Sequence, residues 1–129
     1  MKKTVLIVDD EIELLKSYVM IFEDYRDLFS IITAADGLTA VRKLKENKVS
    51  LVVTNLNMPG IDGFQLMDYI RRHHPYVPVI VTTGYSITME KPSLDRGAVA
   101  FIEKPFLFED LVNTMILVMT TDADFHGTC

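Results

Sequence analysis

The chain has 129 residues, 49% of them hydrophobic, and a formal net charge of -5. That length fits one domain of ordinary size, and that apolar content excludes a chain that is disordered throughout. The negative balance argues against direct binding of nucleic acid, and no apolar run reaches the roughly 18 residues needed to span a bilayer.

Met1-Lys2-Lys3 opens the chain, but the apolar stretch that follows, Val5 to Val8, is too short for a secretory leader. Thr4 to Val8 reads instead as a strand buried on both faces, ending in the acids Asp9-Asp10-Glu11. Ile12, Leu15, Val19 and Phe22 recur at spacings of three and four, which predicts an amphipathic helix. Phe29 to Thr33 is rich in β-branched and aromatic residues and reads as a second strand. Ala40, Val41 and Leu44 carry a helix that closes near Asn47, and Leu51 to Thr54 forms a third strand. Phe64, Met67, Tyr69 and Ile70 mark a third helix ending before Pro75, capped by His73-His74. Val79 to Thr82 and Ala98 to Ile102 read as the fourth and fifth strands.

The stretch between them contains Pro92 and lacks a long apolar stripe. Proline inside a helix removes a hydrogen bond and costs about 3 kcal/mol. A helix here is therefore expected to be short, shifted to begin near Pro92, or mobile. Phe108, Leu111, Val112, Met115 and Met119 make a last helix. Ile116, Leu117 and Val118 add apolar residues outside its inward stripe, which implies a covering neighbour or a partner such as a second copy. Residues 121–129 carry no such pattern and are expected to form a poorly ordered tail after a domain of residues 1–120. The single cysteine, Cys129, excludes an internal disulfide and points to a cytoplasmic location.

Alternation of strand and helix predicts an α/β fold, a parallel sheet with helices on both faces. In such sheets ligands bind outside the carboxyl ends of the strands. Those ends carry Asp9-Asp10, Asn55, Thr82-Thr83 and, after the fifth strand, Lys104-Pro105. Adjacent aspartates alone suit a turn or a helix start as well as a metal. Gathered with the other rim residues they suit a hard cation such as Mg²⁺, with lysine and threonine placed for a phosphoryl group.

The segments LIVDDE, TNLNMPGIDG, PVIVTTG and FIEKPF resemble the receiver domains of two-component response regulators, over Thr4 to about Thr120. The resemblance implies a flavodoxin-like receiver fold: five parallel strands in the order 2-1-3-4-5, flanked by five helices. It implies that Asp9, Asp10 and the backbone carbonyl of Asn57 hold Mg²⁺, and that Thr83 and Lys104 contact a bound phosphoryl group. It makes Phe101 a switch aromatic, Lys104-Pro105 a cis peptide, and the fourth-helix segment a signalling face, beside which the extra apolar residues Ile116, Leu117 and Val118 of the last helix are expected to extend the signalling surface. Implied partners are a histidine kinase or phosphotransfer protein and a downstream effector; the extra apolar residues of the last helix add a second copy as an expected partner.

The family's phosphoaccepting aspartate falls at Asn55. An amide has no anionic oxygen to attack phosphorus, so the resemblance implies that phosphorylation is blocked here. Either Asn55 is native, in a phospho-independent pseudo-receiver acting by protein contact, or it replaces an acceptor aspartate. An acid-pair phosphatase on a related fold would need a D-x-D spacing, which Asp9-Asp10 lacks. A nucleotide-binding enzyme would need a glycine-rich phosphate loop, also absent. The chain is either a stand-alone receiver or the first part of a longer regulator.

Overall fold

A computed structural model describes residues 2–58, 60–84 and 89–128, with side chains to residue 120. Five strands, β1 (Lys3–Val8), β2 (Phe29–Ala34), β3 (Leu51–Asn55), β4 (Val79–Thr83) and β5 (Ala100–Glu103), form one sheet. Its order is β2-β1-β3-β4-β5, and all four pairings are parallel. The helices are α1 (Ile12–Phe22), α2 (Gly37–Glu46), α3 (Gly63–His73), α4 (Glu90–Asp95) and α5 (Phe108–Thr128), with a short 3-10 turn at Glu23–Tyr25.

Strand side chains alternate between two cores because successive Cβ atoms point to opposite faces. Val5, Ile7, Leu51, Val53 and Ile80 pack with α1 and α5 on one side. Leu6, Val8, Val52 and Val81 pack with α2 and α3 on the other. Both faces being covered explains why these strands read as unbroken apolar runs.

The buried stripe of α1 differs from the sequence expectation. Leu15, Tyr18 and Phe22 face inward, whereas Ile12 and Val19 are each 49% exposed. The aromatic Tyr18 wins the inward position by packing its ring beside Phe108, 6.2 Å between centroids, while Phe22 meets Phe108 edge-on at 4.7 Å. In α5 the structure separates the three candidate surface residues. Val118 packs against the core, while Ile116 and Leu117 are exposed.

Helix α4 has six residues, with Pro92 in its first turn. The first four N–H groups of a helix have no partner within it, so a proline there loses no bond. Ser93 Oγ donates to the Met89 carbonyl at 2.7 Å, and Gly97 leaves the helix at a φ of 104°. Arg96, beyond the helix end, lies 4.5 Å over the Phe64 ring and 3.6 Å from Asp68, tying α4 to α3. Residues 85–88, part of the stretch in which a fourth helix is expected, lie outside the described residues.

The α5 backbone stays helical to Thr128, past the domain boundary expected at residue 120. Once nucleated, a helix extends at little cost per residue. Cys129 and the side chains of residues 121–128 lie outside the described set. Among the described residues no helix is long and apolar enough to cross a membrane.

Candidate functional site

Four strands deliver the site. Asp9 follows β1 directly and stays in the ladder, its N–H donating to the Ala34 carbonyl at 3.1 Å. Asn55 is the last residue of β3, Thr83 the last of β4, and Lys104 follows β5. The parallel register brings Asn55 opposite Thr82 and Thr83 opposite Glu103. The rim residues expected from the sequence therefore sit at the carboxyl edge of one sheet. Phe101 lies instead within β5, opposite Val81, half-buried against the α2–α3 core.

The turn after β3 is held by two features. Asp62 caps α3 in a reciprocal box: its side chain accepts from the Gln65 N–H at 2.9 Å, and the Gln65 side chain accepts from the Asp62 N–H at 2.9 Å. Gly63 packs directly behind Asn55. A Cβ there would meet the Asn55 carbonyl oxygen at 2.7 Å and Leu56 Cα at 2.8 Å, so only glycine lets α3 start this close to β3.

Asp9 is 1% exposed. A carboxylate so buried needs charge-assisted partners. It has two: Lys104 Nζ donates to Oδ2 at 2.7 Å, and the Glu11 N–H donates to Oδ1 at 3.0 Å. The Glu11 carboxylate lies 3.7 Å from the same ammonium. Sequence reasoning gave Glu11 no role; the signal was the third acid of the Asp-Asp-Glu run. Burial raises the Tyr18 phenol, with the charges of Asp9 and Glu11 acting in the same direction, so this tyrosine stays neutral at the edge of an acidic pocket.

Asn55 is 7% exposed. Its side-chain nitrogen donates to Asp10 Oδ1 at 3.3 Å and to the Asn57 backbone carbonyl at 3.1 Å. The side chain of Asn57 is exposed, so its carbonyl is the part that enters the site. Lys104 N–H donates to the Thr83 carbonyl at 2.7 Å, and the Lys104-Pro105 bond is cis. Two carboxylates, a carbonyl, an amide and an ammonium thus gather at one sheet edge, with Thr83 closing the adjacent strand. Among the described residues, no group of three or more His, Cys, Asp or Glu side chains is placed to hold a metal. The oxygens of Asp9, Asp10 and Asn57 are nonetheless hard donors of the kind Mg²⁺ accepts, the rest of its shell being water.

A doubly wound sheet of this order, with acids and a lysine at its carboxyl edge, is the architecture of a receiver domain. The chain matches the response regulator receiver domain family over residues 5–116 and belongs to that family. It is a receiver domain of two-component signalling, and such domains typically bind Mg²⁺.

Among curated relatives, the nitrogen assimilation regulatory protein NtrX of Azorhizobium caulinodans is 36% identical over 115 residues, 87% of this chain and 25% of that protein. The response regulator GtcR of Aneurinibacillus migulanus is 36% identical over 107 residues, 82% of this chain and 43% of that protein. The chain therefore spans less than half the length of these relatives. Among solved structures, NtrX from Brucella abortus in complex with ATP superposes with a TM-score of 0.90 at 28% identity, covering 99% of this chain and 29% of that one. A CheY-like receiver domain protein from Methanospirillum hungatei JF-1 gives 0.87 at 26% identity, covering 96% and 98%.

Proposed function

We propose that this chain is a receiver whose phosphoacceptor position is occupied by Asn55, so that as written it does not accept a phosphoryl group. The observation that carries this reading is the place of Asn55. It closes β3 beside Asp10, on the sheet edge that also holds the Asp9–Lys104 pair. An acceptor there must attack phosphorus with an anionic oxygen while the bond to the leaving group breaks. The amide offers none. Asp9, Asp10 and the Asn57 carbonyl are the proposed Mg²⁺ ligands, and Thr83 and Lys104 the proposed contacts of a phosphoryl group.

With an aspartate at 55, the same pocket would take phosphate from a histidine kinase or phosphotransfer protein. A second reading, a native phospho-independent receiver working by protein contact, is favoured by the two hydrogen bonds that hold the amide in place. Both readings share the blocked acceptor. Phe101 would relay the state of the site to the face formed by α4, β5 and α5. Among the described residues, Leu94 on α4, Val99 just before β5, Leu107 just before α5, and Ile116 and Leu117 on α5 are exposed and apolar, and an effector or a second copy would bind them. A cytoplasmic location and no direct contact with nucleic acid belong to this reading, in line with one cysteine and a net charge of -5.

Intact mass after incubation with acetyl phosphate and Mg²⁺ tests the reading. The chain as written keeps its mass, and the Asn55→Asp variant gains one phosphoryl group. A stoichiometric phosphate on the unaltered chain would refute it.

A further inference from the structure

The orientation of the Asn55 amide has a chemical reading beyond the loss of a nucleophile. Its nitrogen stands between Asp10 Oδ1, at 3.3 Å, and the Asn57 carbonyl oxygen, at 3.1 Å. The opposite orientation would set the amide oxygen against a carboxylate and a carbonyl with no hydrogen between them. The nitrogen-inward orientation is therefore the one these neighbours permit. Asp9 is served separately, by Lys104 Nζ and the Glu11 N–H. Every oxygen group proposed above as a metal ligand already has a donor from the protein itself.

We propose that the Asn55 amide is an internal substitute for the divalent cation, a positioning group that draws Asp10 and the Asn57 carbonyl together and competes with Mg²⁺ for them. This rests on the metal-ligand reading under Proposed function. To admit Mg²⁺, the side chain must give up both hydrogen bonds and turn its oxygen inward. An aspartate at 55 reverses the balance. A third carboxylate beside Asp10 adds like-charge repulsion, which a cation relieves. An alanine at 55 does something different from either: it removes the competing donor and adds no charge, leaving Asp10 and the Asn57 carbonyl open.

Alanine is thus the informative substitution. If Asn55 were merely a weaker ligand than aspartate, removing its amide would weaken Mg²⁺ binding further. If Asn55 competes with the cation, removing it strengthens binding.

Calorimetric titration of MgCl₂ into the chain as written, Asn55→Ala and Asn55→Asp tests this. Losing two competing hydrogen bonds should tighten Mg²⁺ binding in Asn55→Ala by about tenfold over the unaltered chain. Asn55→Asp should bind most tightly of the three. Equal or weaker binding by Asn55→Ala overturns the proposal, and binding by none of the three overturns it together with the metal ligands it assumes.

Melting temperatures give a second readout should Asn55→Ala not fold. In excess EDTA the Asn55→Asp variant should melt below the unaltered chain and recover with millimolar MgCl₂, while the unaltered chain hardly responds. An Asn55→Asp variant that melts at or above the unaltered chain in EDTA overturns the proposal. A chain that binds Mg²⁺ tightly yet takes no phosphate would defeat this inference and leave the proposed function standing.

Discussion

Lys104 and Asp9, 95 residues apart in sequence, meet at 2.7 Å across the sheet edge, the lysine 16% and the aspartate 2% exposed in their side chains. The pair joins the end of β5 to the end of β1, although these strands are not neighbours in the sheet. Removing the lysine leaves a buried carboxylate whose one remaining donor among the described residues is the Glu11 N–H. Breaking one side of a buried pair costs about 3 kcal/mol, and the partial exposure of Lys104 trims this to roughly 2 kcal/mol. Urea unfolding of Lys104→Ala should show that loss, and adding Asp9→Asn should restore part of it. A Lys104→Ala variant as stable as the unaltered chain would mean that Asp9 draws its compensation from elsewhere.

Gly63→Ala should lower stability by about 2 kcal/mol, because its Cβ would press on the Asn55 carbonyl and Leu56 Cα, both backbone atoms. Gly84→Ala is the control: a Cβ there meets nothing within 4 Å among the described residues. It should change the urea midpoint little. Equal effects at the two positions would show that the approach of α3 to β3 is not tight.

His74 Nε2 is buried without a hydrogen-bond partner among the described residues. Burial, and then the neighbouring charge of His73, lower its pKa from 6.5. The folded state therefore resists a proton that the unfolded state accepts, and stability rises with pH over the interval between the two values. The contribution is complete above the unfolded value of 6.5 and is lost as pH falls from there through the folded value. Urea midpoints should fall on acidification below neutral pH, and His74→Phe should flatten that slope. An unchanged slope in the variant would remove His74 as its source.

Leu117 is 65% exposed and Ile116 39%, on the outer side of α5. Symmetric contact through this face would hide both, and a stable interface needs roughly 1,000 Å² in total. Sedimentation at high micromolar concentration should give a dimer for the chain as written and a monomer for Leu117→Glu. Monomers in both samples would leave α5 packed only within its own domain.

Much of the fold was legible because strand and helix periods alternate so cleanly. The short apolar runs from Thr4 to Val8, Leu51 to Thr54 and Val79 to Thr82, each separated by a helical pattern, predicted parallel strands, and the rim followed from where those runs end. The inward stripe of α1 was not legible. Tyr18 counts as polar by type, yet its ring is buried beside Phe108, a contact 90 residues away in sequence. β5 begins at Ala100 rather than Ala98 because Gly97 turns the chain at positive φ and Ala98 still donates to the Ser93 carbonyl. At the site, residue types were readable but their partners were not. Nothing in the sequence says which end of the Asn55 amide faces Asp10; only the surrounding acceptors decide that.

The most direct test of the blocked acceptor is to trap the acyl phosphate chemically. Borohydride reduces an aspartyl phosphate to homoserine, which peptide mass spectrometry locates by residue. After treatment with acetyl phosphate and Mg²⁺, Asn55→Asp should carry homoserine at position 55, and the chain as written should carry none at any position. Homoserine at Asp9 or Asp10 in the unaltered chain, or its absence from position 55 in the variant, would contradict the account.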